Sequence, residues 1–163
     1  MGPPDLRLLP ALLFALVVPA ASAASLQDLI DATPSGGTLR LAPGSYVAPV
    51  TIKRPMTLDG GGRASIVGSG RGTVLSVAAN GVTLRGLHLR GSGESHDGVD
   101  AGILLEGDDH RVEDNVIDDV LFGIHLKRVN RSRVARNRVT GKPLDLGMRG
   151  DAIRLWYSQH NVI

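Results

Sequence analysis

The chain has 163 residues and a net charge of only +2, with its basic side chains scattered along it. Aromatic residues make up 3%, too few to offer stacking platforms for bases, which argues against nucleic acid as a partner. The absence of Cys rules out a disulfide framework and a thiolate metal centre, and 21 glycines suit tight turns between short strands better than a helical bundle.

Residues 1–23 read as a secretory signal peptide. Arg7 precedes the apolar run Leu8–Ala20, and Ala21-Ser22-Ala23 fits a small-residue cleavage site, with cleavage before Ala24. The run is short and contains Pro10 and Pro19, so the mature chain is expected to hold no integral membrane segment. In a bacterium this address is the periplasm or the exterior.

The mature chain opens with Ser25-Leu26-Gln27-Asp28-Leu29-Ile30-Asp31-Ala32, a short amphipathic helix. Ser25 is its N-cap candidate and Asp28 stands three residues on, where a capping box places its acid. Strand patterns follow at Thr38–Leu41, Val50–Ile52 and Met56–Leu58, separated by turns rich in Gly and Pro.

From Leu75 onward one line is written repeatedly: apolar, any, apolar, a polar turn, then one apolar residue. Leu75-Ser76-Val77, Ile103-Leu104-Leu105, Ile124-His125-Leu126 and Ile153-Arg154-Leu155 are its copies, followed by Leu84, Val112, Val134 and Val162. Asn115 and Asn137 follow two of these last residues at the same spacing. Constant strand blocks with uneven periods predict an all-β parallel β-helix, a solenoid capped by the N-terminal helix. Strand alternation assigns the first and third positions to the core and places Ser76, Leu104, His125 and Arg154 outward. The Asn residues are expected to form an internal ladder that satisfies turn backbone. His110 and His160 are expected as solvated turn residues, with His88 and His125 outward. The apolar end at Val162-Ile163 suggests the N-terminal part of a longer domain.

The irregularity is informative. Leu89 to Ile103 and Val139 to Ile153 each span 14 residues, whereas Ile117 to Ile124 spans seven. Two long loops, 91–100 and 141–151, therefore leave the same corner, with bases about 10 Å apart at two strand spacings. Loops held by a rigid scaffold are where function collects. His96, Asp97, Asp100, Asp145, Met148, Arg149, Asp151 and the neighbouring Trp156 are the candidate partner or ligand surface.

Three readings of this corner stay open. His96 and Met148, with carboxylates, are plausible copper ligands. Paired carboxylates such as Asp108-Asp109, Asp118-Asp119 and Asp97/Asp100 could serve a secreted carbohydrate-binding or polysaccharide-cleaving protein. The loops could instead be a docking surface, with Trp156-Tyr157 either a packing lid or an aromatic contact patch.

Several segments together resemble a known family. They are Arg149-Gly150-Asp151-Ala152-Ile153-Arg154-Leu155-Trp156, Gly37–Tyr46, Pro55–Gly60, Gly81–Leu87 and Phe122-Gly123-Ile124. The chain from 24 to 163 resembles the periplasmic maturation proteins of nitrous oxide reductase, the NosD type. The resemblance implies an exported right-handed parallel β-helix. It also implies an accessory factor rather than a catalyst, acting with an ABC-type transporter to assemble the copper-sulfur centre of nitrous oxide reductase. It supplies no catalytic residues.

Overall fold

The computed structural model describes residues 24–163; the expected signal peptide lies outside the described residues. The first element is helix α1 (Leu26–Ala32). Its start is set locally: Ser25 Oγ accepts the Asp28 N–H at 3.2 Å, and the Asp28 carboxylate accepts the Ser25 N–H at 3.0 Å. Leu26 and Ile30 are buried. Gln27 clamps Thr51 of strand β3 (Val50–Ile52), accepting its N–H and donating to its carbonyl, so the helix covers that end of the apolar interior.

The remaining strands are short. They are β1 (Thr38–Arg40), β2 (Gly44–Val47), β4 (Thr57–Val67), β5 (Leu75–Ala78), β6 (Thr83–Arg90), β7 (Ala101–Glu106) and β8 (Arg111–Glu113). Then come β9 (Val116–Val120), β10 (Phe122–Lys127), β11 (Arg133–Ala135), β12 (Arg138–Gly141) and β13 (Ile153–Trp156). The five-stranded sheet runs β3-β5-β7-β10-β13, and the larger sheet holds the rest around the path β1-β4-β6-β8-β11. The chain passes back and forth between the two sheets, and the pairings among named strands are parallel. Mostly β, with parallel sheets and one short helix, this arrangement is consistent with a parallel β-helix.

The aliphatic columns follow the spacing of the sequence. Val50, Leu75, Ile103, Ile124 and Ile153 stand in register, as do Ile52, Val77, Leu105, Leu126 and Leu155. Leu84, Val112 and Val134 form a third line. Ile66, Leu89, Ile117 and Val139 form a fourth. All but Val139, Ile153 and Leu155 are buried, and each buried side chain contributes roughly 1.5–3 kcal/mol.

The third column does not extend to Val162. Val162 bridges Arg133 rather than Val134, and it is 55% exposed. The turn after Leu126 is one residue longer than its predecessors, and the turn after Leu155 keeps that length. A one-residue offset sends the side chain to the opposite face, so Ile163 takes the place opposite Val134.

Asn115 and Asn137 form the expected ladder. Asn115 Oδ1 accepts the Leu87 N–H at 3.0 Å, its Nδ2 donates to Leu84 O at 3.1 Å, and Asn137 repeats the pattern on Asn115 N and Val112 O. A second ladder was not foreseen. Asn80 accepts from Asp108 N, Asp108 from Asn130 N, and Asn130 from Gln159 N, each side chain reaching the backbone of the next circuit.

His110 is a correction. It is 1% exposed, not solvated, and its partner in register is Ser132, followed by Asn161 rather than His160. His110 Nδ1 accepts the Val82 N–H at 3.2 Å while Nε2 lies 3.3 Å from Glu106 O, which selects the neutral Nε2–H tautomer. Burial pushes the His110 ring below the ordinary imidazole value. His125, below, is lowered too. Unfolded histidines titrate near about 6.5, so in that range the unfolded chain binds more protons than the folded one. Stability contributed by the neutral rings is present above about pH 6.5 and is lost as pH falls through the folded values. The melting temperature should therefore drop on acidification from neutrality, and less steeply in His110→Gln. A rise over the same window would show that the rings are charged in the fold.

Candidate functional site

Both long loops do leave one corner, where the chain passes from the larger sheet to the smaller one. The first joins β6 to β7 and the second joins β12 to β13, while β9 reaches β10 through Leu121 alone. Under them sits a small second core of Ala101, Leu121 and Phe122, onto which Val99 from the first loop and Leu144 from the second are packed. Lys142 of the second loop lies 3.8 Å from Glu94 of the first and 3.3 Å from Asp119. Gly123 lets Ala152, just after the second loop, come close to β10: a Cβ at 123 would lie 2.2 Å from Ala152 O.

The first loop is organised from within. Ser92 is fully buried and its Oγ accepts the Leu121 N–H at 2.9 Å. Asp100, 9% exposed, accepts the Ser95 N–H at 3.0 Å, which makes it a brace rather than a ligand-facing carboxylate. His96 presents its ring edge-on to Phe122 at 5.8 Å between centroids.

The candidate residues divide between two depressions. Arg149 and Asp151, with Lys142 and Leu144, line a cleft of about 150 Å³. Arg149 is tied into its own loop, its Nε donating to Leu144 O at 2.8 Å. Asp97 and Trp156 line a larger cavity, about 350 Å³, on the outer face of the smaller sheet. Asp145 and Met148 flank and end a 3-10 turn (Leu146–Met148), with Leu146 82% and Met148 55% exposed. Among the described residues, no three His, Asp or Glu side chains gather as metal ligands.

The larger cavity contains residues that sequence reasoning treated as plain outward positions. Leu104, His125 and Arg154 are adjacent across β7, β10 and β13, and Lys127 completes one wall. His125 is 5% exposed, and both its ring nitrogens lack a hydrogen-bond partner. Burial is the main cause that pushes its ring below the ordinary imidazole range, with Arg154 and Lys127 adding to it. The available signal was a His and an Arg side by side in one outward column, next to a 14-residue loop.

Most of the carboxylates at the turns are engaged, Asp108, Asp109 and Asp118 of the pairs offered for glycan cleavage among them. Arg131 spans Asp108 and Asp109 at 3.1 and 3.0 Å, and Arg136 binds Asp114 at 2.7 Å. His88 meets Asp118 at 2.7 Å. The Asn130 N–H holds the Asp108 carboxyl below its ordinary value, and Arg136 does so for Asp114. An acid held ionised cannot protonate a leaving oxygen, so neither is suited to general-acid work at neutral pH.

Trp156 and Tyr157 meet edge to face at 5.2 Å and are 49% and 76% exposed. With Leu146 and Met148 they leave apolar surface around the corner, which suits the contact-patch reading better than a buried lid. Among the described residues, no helix is long and apolar enough to cross a membrane.

No family model matches the chain, and no solved structure matches it. The chain is similar to a curated protein of Pseudomonas aeruginosa described as a probable ABC transporter binding protein NosD. The two are 28% identical over 123 residues, which cover 74% of this chain and 29% of that protein.

Proposed function

We propose that this protein is a periplasmic accessory factor in assembling the copper-sulfur centre of nitrous oxide reductase, working with an ABC-type transporter. The observation that carries this reading is the 28% identity with the transporter-binding NosD protein across 74% of the chain. The exposed apolar residues around the two-loop corner support a role in docking. In this reading residues 24–163 wind as a right-handed parallel β-helix that is one part of a longer domain, and residues 1–23 direct export. The partners are the transporter subunits and nitrous oxide reductase. In this reading the protein acts by docking and positioning. The polysaccharide-cleaving alternative gains no support from carboxylates already engaged by arginines.

Deleting the gene should abolish nitrous oxide reduction while apo-reductase is still exported in normal amount. Asp151→Asn combined with Trp156→Ala, made in the full-length protein, should cause the same loss with the β-rich circular dichroism intact. Unimpaired nitrous oxide reduction in the deletion strain would sink the proposal. Depolymerisation of an anionic polysaccharide by the purified protein would replace it with the alternative.

A further inference from the structure

Several arginines of this fold have carboxylate partners one circuit away. Arg85 meets Asp59 at 2.8 Å, Arg131 meets Asp109 at 3.0 Å and Arg136 meets Asp114 at 2.7 Å. Arg154, on the outer face of β13, makes no ion pair among the described residues. Instead its guanidinium carbon lies 5.2 Å from the centroid of Phe122 and 5.7 Å from that of Trp156. Aromatic faces hold a guanidinium in place without consuming its N–H donors, which leaves the donor fork available.

Beside it is His125, 95% buried by its 5% exposure, with neither ring nitrogen satisfied. Buried polar groups are seldom left so, and a floor of this kind is not what a purely structural seal provides. Both residues line the 350 Å³ cavity with Asp97, Val99, Leu104, Lys127 and Trp156. Its charges decide the ligand class. Lys127 is engaged by Glu106 at 2.9 Å, so Arg154 is the cation without a partner. With Lys127 matched by Glu106, the guanidinium of Arg154 is the one cation of the lining open to a ligand, and its planar fork matches a carboxylate.

We propose that this cavity binds a monocarboxylate carried on an aromatic or apolar body. The planar fork of Arg154 takes the carboxylate, which matches it in geometry. The body lies against Trp156, Val99 and Leu104 above the His125 floor. The carboxylate belongs either to a small molecule or to the C-terminus of a peptide ending in an aromatic residue. This inference is independent of the maturation reading, because it concerns binding by the purified protein rather than reductase activity in cells.

Trp156 is the sole tryptophan of the sequence, so intrinsic fluorescence reports on this wall directly. Titration with phenylacetate should change the emission saturably. Phenylacetamide, with the same body and no charge, should bind roughly ten- to hundredfold more weakly, the scale of a lost charge-assisted hydrogen bond. Arg154→Met should weaken phenylacetate by a similar factor with circular dichroism unchanged. The amide comparison decides the matter on the unaltered protein should that variant fail to fold. N-acetylglycyl-phenylalanine binding tighter than phenylacetate assigns the carboxylate to a peptide end; the reverse order assigns it to a small molecule. No saturable response to either acid, or equal affinity for phenylacetate and its amide, overturns the proposal.

Discussion

Ile124→Asp is expected to abolish the folded state. Ile124 is fully buried and stands in register between Ile103 and Ile153 in one of the two five-residue aliphatic columns. The aspartate would lose that packing and place a carboxylate where no cation or donor reaches it. An unpaired buried charge costs about 3–5 kcal/mol, and the lost aliphatic burial adds roughly 1.5–3. Against a total stability of about 5–15 kcal/mol this leaves little or no native population. Far-UV circular dichroism and a urea transition check it, with Arg138→Asp, on an exposed position of β12, as the folded control. A cooperative transition in Ile124→Asp close to that of the control would mean that this column is not the core.

Asn115→Ala is expected to be the most damaging polar substitution. Asn115 is 1% exposed; its Oδ1 accepts the Leu87 N–H and its Nδ2 donates to Leu84 O. Alanine removes both bonds from these backbone groups in a place water does not reach. At about 1–3 kcal/mol for each of the two groups, the loss is roughly 2–6 kcal/mol. Asn137→Ala should cost less, since Asn137 is only half-buried and solvent can replace part of its bonding. Urea midpoints for the two variants give the comparison. Equal midpoints would show that the ladder is incidental to stability.

Much of the framework was legible in the chain because it rests on spacing. Isoleucine, leucine and valine at alternate positions can pair in parallel only in the register that buries them all. The 14-residue intervals located the corner for the same reason, as departures from a known step. Where the step itself changed, reasoning by count failed: one residue gained after Leu126 moved Val162 to the outside.

The site was legible only in outline. Asp97 and Trp156 do face one cavity, but Asp100 turns inward to hold its own loop and Arg149 and Asp151 line a separate cleft. Loop paths are set by contacts such as Val99 and Leu144 on Leu121 and Phe122, and no periodicity encodes those. The acidic turn residues looked like candidate chemistry as isolated letters. Their role depends on the arginine that lands beside them a circuit later.

The sequence by itself thus determined the parallel strands, their register through most of the chain, the capped first helix and the corner from which both loops depart. Local propensity and alternation are written in neighbouring residues, so they can be read there. Only the tertiary structure decided that His125 is sealed under the first loop with its nitrogens unpaired, and that Arg154 is held by aromatic faces rather than by a carboxylate. Burial and pairing depend on which distant segments come to lie above a position, and a strand cannot announce what will cover it.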